Sequence, residues 1–420
     1  MTASREARLT VLSSLAEIDR EAWDACANPG WPSRQPFGDD AASFLKAQGE
    51  PANVDSLSER RAYNPFVCYD FLHSLEASGS ATGRTGWQAR HMVLADEDGA
   101  PSAIVPCYQK SHSMGEYVFD HGWADAYERA GGSYYPKLQV AVPFTPATGP
   151  RLLVRDAGDL AGRATLASGL VELSRRIGAS SVHATFLDEL DADVLEGAGF
   201  LPRVDQQFQF DNPGYRDFED FLTALASRKR KAIRRERRDA LMDGIEVEIL
   251  NGSDIDEAAW DAFYEFYTDT GARKWGRPYL NRRFFSMVGD SMADRILLIF
   301  ARRGTKRIAG ALNFIGSDAL FGRYWGAVEE VPFLHFEICY HQAVEWAINN
   351  RLPRVEAGAQ GEHKLARGYR PVITRSAHFI ADRNFRAAVA DYLQRERAAV
   401  AAEQEALEEH VPFRSEDGTS

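Results

Sequence analysis

Two stretches of this chain are punctuated alike. Residues 195–203, containing Gly199-Phe200-Leu201-Pro202, line up with residues 364–372, containing Gly368-Tyr369-Arg370-Pro371. In each, a glycine closes a helical stretch and an aromatic residue opens a strand. Upstream, 103–108 followed by 117–123 lines up with 309–314 followed by 321–325. The chain therefore reads as two copies of one α/β unit of ~180–200 residues, an ordinary domain size. The copies are placed at 1–211 and 212–384, with a charged, Ala-rich C-terminal helix and tail at 385–420.

Periodicity fills in the copies. In the first, 9–12 reads as a strand, followed by a helix carrying Ile18, Trp23 and Ala25. Residues 29–60, rich in Pro, Gly, Ser and Asp, read as a loop insertion. Phe66, Tyr69, Phe71, Leu72 and Leu75 suggest a helix. Strands at 91–95 and 103–108 flank the turn signal Asp98-Gly99. A helix over 160–177 precedes a strand at 181–186. The second copy opens with a basic amphipathic helix over 217–243, with Phe218, Phe221, Leu222 and Leu225 on one face. Strands follow at 245–250, 296–301, 308–314 and 354–357, with helices near 260–267 and 336–349.

Charge is unevenly spread. Residues 228–238 hold eight basic side chains and one acid, or +7, so the rest of a chain with net charge −12 carries −19. A protein of this kind does not coat nucleic acid along its length. Arg228, Lys231, Arg234, Arg235 and Arg238 could hold one polyanion at one place, and a solvated helix face is the other reading. No run of about 18 apolar residues exists, so no membrane span is expected. The N-terminus lacks the pattern of a secretory leader. Four scattered cysteines without a Cys-x-x-Cys pair suit a reducing compartment, and a cytoplasmic location is expected.

The most chemical stretch is 356–371. A short apolar approach runs into three glycines and then Glu356, Gln360, Glu362, His363, Lys364 and Arg367, with a short helix closed by Gly368. Small residues let a ligand approach the backbone, and a helix start offers unpaired N–H groups. A polar surface loop with a glycine cap is the alternative.

A strand hairpin, a helix, a strand, a Gly-closed helix and a final strand resemble the GNAT acetyltransferase fold. Two such units in tandem, with a Lys/Arg-rich helix early in the second, resemble the Fem peptidyltransferases. The closest resemblance is to the bacterial FemAB-like proteins of peptidoglycan biosynthesis or recognition. It is carried by Gly115-Glu116-Tyr117-Val118-Phe119-Asp120-His121, Tyr134-Tyr135-Pro136-Lys137-Leu138, Gly149-Pro150-Arg151, Gly322-Arg323-Tyr324-Trp325-Gly326, His335-Phe336-Glu337-Ile338-Cys339-Tyr340 and the 358–368 run. It implies an α/β (α+β) fold of tandem GNAT-like domains, each a mixed sheet flanked by helices. It also implies an acyltransferase that forms an amide bond. Fem proteins proper move an amino acid from aminoacyl-tRNA to an amine of a peptidoglycan precursor.

Acyl transfer to an amine needs a proton acceptor, oxyanion donors and a way to protonate the leaving group, but no protein nucleophile. Glu356 at a strand end and Glu337 near a helix start are the candidate bases, and His363 a candidate proton shuttle. Glu337 could equally be a dipole partner, and His363 a structural histidine. Lys364 and Arg367 share a helical face and could hold phosphate or carboxylate. Arg323, beside Trp325 in a strand, would face a partner or ligand, and Gln360 and Glu362 would line the same pocket. In the first copy, Asp120, His121 and Lys137 sit among aromatics that suit a sugar or peptide, or form a core with a tyrosine rim. No metal-ligand spacing is present, and no metal or resident cofactor is expected. No clean Arg/Gln-x-x-Gly-x-Gly/Ala loop for acyl-CoA is found, so aminoacyl-tRNA is the favoured donor. A CoA-dependent N-acetyltransferase and a non-catalytic muropeptide-binding protein are the alternatives. The acceptor would be a small-molecule or peptidyl amine, with tRNA as a possible partner.

Overall fold

The computed structural model describes residues 8–32, 61–274, 278–358, 361–408 and 412–413, without the side chains of 272–274 and 362. Most of the expected insertion at 29–60, and Gln360 and the Glu362 side chain of the expected pocket, lie outside the described residues. Two compact units emerge. One holds the described residues up to Asp205 together with Ile373–Ala401, the other Gln206–Val372 with the described residues from Ala402 on.

The first unit is built on a bent hairpin. β1 (Leu9–Leu12) pairs antiparallel with β3 (His91–Ala95), and β2 (Trp87–Ala89) precedes β3 with only Arg90 between. β4 (Pro101–Val105) and β5 (Cys107–Lys110) return across the Asp98-Gly99 turn, with Gly99 at φ +86°. Pro106 has no N–H to give a ladder, and there the hairpin passes from one sheet to another. β3 pairs with β4 and β4 with β7 (Leu153–Val154), while β2 pairs with β5 and β5 with β6 (Lys137–Val140). β6 then runs parallel to β8 (Ser181–Leu187), reached through the helix Leu160–Arg176. That helix packs Leu166, Leu170 and Leu173 against Met92, Val105, Val140 and Val182, an apolar core.

One alignment fails here. Residues 117–123 are not the counterpart of strand 321–325, because His121–Arg129 is a helix. The strand falls at β6 instead, where the parallel step occurs.

The second unit takes the end of β9 (Leu201–Asp211) into its sheet. β10 (Ile245–Asn251), β11 (Ile296–Arg303), β12 (Lys306–Ile315) and β13 (Ala319–Ala327) form an antiparallel run, and β13 steps parallel to β14 (Arg354–Glu356). β14 pairs on its other side with Gln209–Asp211 of β9. The helix Glu257–Lys274 lies on this sheet so closely that a Cβ at Gly326 would stand 2.1 Å from the Phe266 carbonyl oxygen.

The expected single basic helix over 217–243 is two helices, Phe218–Ala224 and Ser227–Ala240. Leu225, with ψ 153°, breaks the run because its side chain is wholly buried and its backbone bridges to Phe413. β15 (Arg370–Ile380) closes the strand list, and its residues Arg375–Ile380 pair with β8 in the first unit's sheet. Gly199 (φ +90°) and Gly368 (φ +89°) both stand left-handed just before the closing strands, as the repeated punctuation predicts. The chain is thus a mixed α/β protein with an antiparallel run and one parallel step in each unit, a tandem GNAT-like arrangement.

Candidate functional site

The parallel step in the second unit is where β13 and β14 part. Pairing runs from Ala319–Arg354 to Phe321–Glu356 and stops, while β13 continues to Ala327. At that point β13 carries a bulge. Asn313 faces Gly322 and Leu312 faces Tyr324, which leaves Arg323 as the extra residue. Bulges re-aim side chains beside functional sites. Gly322 lies so near β14 that a Cβ there would touch the Glu356 carbonyl at 3.4 Å.

Glu356 ends β14 on the rim of this gap. Burial pushes its carboxyl up to about 7, with Arg354 pulling back and Asp318 adding to the rise. Arg354 Nε approaches Glu356 at 3.3 Å, and its Nη1 pairs with Asp318 at 2.6 Å. The carboxyl can therefore hold or release a proton near neutrality.

Beyond Glu356 the backbone carbonyls of Ala357 and Gly358 have a side-chain partner. Lys364 Nζ donates to both at 2.8 Å. Lys364 is almost wholly buried, and burial lowers its ammonium to about 8. The segment Glu362–Arg367 is a 3₁₀ turn rather than an α-helix, entered and left by Gly361 and Gly368 in left-handed conformations. At Gly361 a Cβ would meet the His363 ring at 2.4 Å. Arg367 faces inward. Its Nη2 pairs with Glu236 at 2.9 Å, and its guanidinium stacks 3.4 Å from the Phe336 ring centroid. Lys364 and Arg367 are thus engaged with the protein's own groups.

An aromatic wall faces the turn. Residues 334–349 form one helical stretch whose centre, Glu337–His341, is a π-turn, a feature common at functional sites. It presents His335, Phe336 and Tyr340. Tyr340 Oη bonds His363 Nε2 at 3.0 Å, and His335 lies 5.2 Å from Trp325 on β13 and 6.3 Å from His363. Burial, then Arg367 and Lys364, hold His363 below its ordinary value. Among the expected residues, Glu356, Arg323, Trp325, His363 and Lys364 are gathered around the β13–β14 gap.

Glu337 sits differently from its expected place as a base. It is fully buried, and Arg237 holds it with contacts of 3.0–3.2 Å, while Gln342 donates to it at 2.6 Å. Arg237 also reaches Glu345 at 2.6 Å. The inward face of the basic helix thus clamps the π-turn through Arg237, and through Glu236 near His341. Arg228, Lys231, Arg234, Arg235 and Arg238 all face solvent, where Arg234 pairs with Glu219, and Arg235 and Arg238 pair with Asp239.

In the first unit, Asp120 and Lys137 meet but His121 does not join them. Lys137 Nζ, wholly buried, contacts Asp120 at 2.5 Å, Glu116 at 2.7 Å and Ser113 at 2.8 Å. His121 is exposed and stacks on Phe119. Behind the pair stands a chain the sequence reading missed. Tyr134 Oη bonds Asp120 at 2.7 Å and His183 Nε2 at 3.3 Å. His183 Nδ1 meets His378 Nδ1 at 2.7 Å, and His378 Nε2 meets Ser376 at 3.0 Å. Polar residues at every second position of two strands, Ser181, His183 and Thr185, and Ser376 and His378, were the available signal.

The gap between the parallel strands is filled in this unit. Leu187 pairs with Arg375 on one side, so its parallel bridge to Gly149 lies on the side that β6 has left. Gly149 N–H donates to Phe186 O at 3.0 Å, and Asp188 N–H to Gly149 O at 3.2 Å.

No curated protein sequence matches the chain. Solved structures similar to it share little sequence. FemX aligns at 12% identity over 77% of this chain and 94% of its own, with a TM-score of 0.47. L-PGS from Bacillus licheniformis aligns at 8% identity over 91% and 100%, with a TM-score of 0.46. A tandem GNAT protein of the clavulanic acid pathway aligns at 14% identity over 90% and 99%, with a TM-score of 0.42. The model of the FemAB-like family, described as peptidoglycan biosynthesis/recognition, matches residues 14–415. That match takes in both units, from the first helix to the last described residues, and the chain belongs to the FemAB-like family.

Proposed function

We propose that this protein is an acyltransferase that joins an acyl or aminoacyl group to a primary amine on a peptidoglycan precursor, with the reaction in the β13–β14 gap. The observation that carries this reading is Glu356, whose carboxyl is raised to about 7 at the rim of that gap. The amine nitrogen attacks the acyl carbon, Glu356 takes the proton that the nitrogen sheds, and the bond from carbon to the donor's leaving oxygen breaks. The proton held by Glu356 then passes to that oxygen, and His363, bonded to Tyr340 in the same wall, can relay it. Lys364 fixes the backbone that carries Glu356.

Aminoacyl-tRNA is the donor we favour over acyl-CoA. The connection from β13 into the next helix holds Glu329 and Glu330, and Phe333 at φ +63°. Glu329 there is paired with Lys306 and Arg303, and Glu330 is the carboxylate that would repel a pyrophosphate. The exposed Arg228, Lys231, Arg234, Arg235 and Arg238 supply a polyanion-binding face for tRNA, whose affinity should fall with salt. Asp120 and Lys137 belong to the acceptor side in this reading. Four free cysteines, and no helix long and apolar enough to cross a membrane among the described residues, fit a cytoplasmic enzyme.

The test is mass spectrometry of an amine-bearing muropeptide incubated with the protein and either aminoacyl-tRNA or acetyl-CoA. An amide product from aminoacyl-tRNA, lost in Glu356→Gln, is expected. Muropeptide binding without product from either donor would replace the enzyme with a recognition protein.

A further inference from the structure

The first unit holds a concave site that the acyl-transfer reading does not use. It is a pocket of about 470 Å³ beside β2, lined by Gly83, Gly86, Gln88, Arg90, Gln109, Lys110, Ser111, Tyr135 and Pro136. Among the described residues β2 pairs only with β5 and is the edge of its sheet. The pocket adjoins the start of β6, whereas the gap beside β8 that Gly149 fills lies past the end of β6.

The chemistry of the wall is one-sided. Two amides, two hydroxyls, a guanidinium and an ammonium line it, and no carboxylate does so among the described residues. Arg90 is held by its Nε on Gln109 Oε1 at 3.2 Å and by Nη1 on the Ala89 carbonyl at 3.2 Å. Its Nη2 has no protein partner among the described residues. A guanidinium fixed by two of its nitrogens, with the third available, is preorganised for an oxygen anion. In a chain of net charge −12, a cationic hollow is a local reversal of sign.

Lys110 forms the inner wall. Its Nζ lies 3.4 Å from the Trp87 ring centroid and donates to the Met114 carbonyl at 3.2 Å. Its cross-strand neighbour on β6 is Lys137, also wholly buried. Glu116 and Asp120 are the facing carboxylates, and both are committed to Lys137 at 2.7 and 2.5 Å, while Glu116 reaches Lys110 only at 3.7 Å. Burial lowers Lys110 to about 7, with Lys137 adding to the fall and Glu116 and Asp120 opposing it. Tyr135, on the opposite wall, shares a 2.8 Å hydrogen bond with Ser113, which Lys137 also contacts. The glycines keep the mouth open: a Cβ at Gly83 would stand 2.5 Å from Gln88 Oε1.

We propose that this pocket binds an oxygen anion, the carboxylate or phosphate group of a polar ligand, with Arg90 as its direct partner and Lys110 as the charge behind it. The amides of Gln88 and Gln109 and the hydroxyls of Ser111 and Tyr135 hold the neutral polar part of that ligand. Binding draws a proton onto Lys110, because an anion nearby favours its charged form.

Isothermal titration calorimetry of the full chain with inorganic phosphate, and separately with N-acetylglycylglycine, tests this at pH 7.5. At least one probe should saturate below about 10 mM, an affinity within reach of a single charged contact. The probe that binds distinguishes a phosphate from a carboxylate ligand. Arg90→Ala should weaken binding at least tenfold, and Gln88→Ala at the rim serves if Arg90→Ala fails to fold. The binding heat should depend on the ionisation enthalpy of the buffer, reporting proton uptake, and Lys110→Met should remove that dependence. No saturation with either probe, affinity unchanged by both Arg90→Ala and Gln88→Ala, or heats independent of buffer in the wild type would overturn the proposal.

Discussion

His183 and His378 face each other directly across β8 and β15, with their Nδ1 atoms 2.7 Å apart. One must donate and the other accept, so the contact exists only while at least one ring is neutral. Burial, then Lys137, lowers His183 to about 3, and burial, then His183 itself, lowers His378 well below its ordinary value. Arg203 and Lys137 add positive charge nearby, and Asp120, 3.7 Å from His183, opposes it. The unfolded chain binds these protons first. Stability from the pair is therefore complete above about 6.5 and is lost as pH falls toward 3. Urea titrations of wild type and His378→Gln should show the wild type's advantage at pH 7.5 shrinking at pH 5. An advantage that stays constant with pH would show that the pair does not titrate as its burial requires.

Glu356 has the opposite sign. Its folded value, about 7, lies above its unfolded one, so the stability associated with its protonated form is present at low pH and lost as pH rises through 7. Glu356→Gln should raise the urea midpoint more at pH 8 than at pH 5, while lowering turnover by about 10²–10⁴-fold, the usual range for a lost general base. In the wild type, turnover should climb between pH 6 and 8. A flat profile would remove Glu356 from the base role.

Removing Arg237 should be far costlier than removing its exposed neighbours. Arg237→Ala leaves the fully buried Glu337 without its cation, which typically costs about 3–5 kcal/mol. Arg235→Ala and Arg238→Ala should stay within about 0.5 kcal/mol by chemical denaturation, because their pairs lie in solvent. Binding of a polyanion should respond the other way, weakening on loss of the exposed cations.

Two glycines separate crowding from backbone strain. Gly326→Ala would drive a Cβ to 2.1 Å from the backbone oxygen of Phe266, and the helix or the strand must move. Such overpacking costs about 1–3 kcal/mol or more. Gly304→Ala, at φ +60° with open space around it, should cost only the left-handed penalty of about 1–2 kcal/mol. Thermal melts that rank the two in reverse would mean that β13 can shift freely under the helix Glu257–Lys274.

Alternation and punctuation made much of the architecture legible. His91–Ala95 and the Gly199 and Gly368 stops stand where the pattern puts them. The break at Leu225 was hidden because helical periodicity carries through it, and only the bridge to Phe413, far along the chain, interrupts the helix. Helix 121–129 was hidden because 117–123 mixes aromatics at strand-like spacing, while the helical spacing shows only when Tyr127, packed with Trp123 and Ala124, is added. Of the candidate site, the 356–368 run was readable as chemistry, but the jobs of its cations were not. Whether Lys364 meets a ligand or two backbone carbonyls depends on a turn whose path no local spacing encodes. Glu236, the single acid within the basic run 228–238, was the overlooked clue that this helix has an inward face.

The strip of backbone at Gly149 separates the fates of the two units. In one, the chain has caulked its own seam between diverging strands, and in the other Arg323 and Glu356 still border the fissure. Doubling of a fold here has not doubled its opening, and a ligand that enters the fissure should bind once per polypeptide, however much of it surrounds the chain.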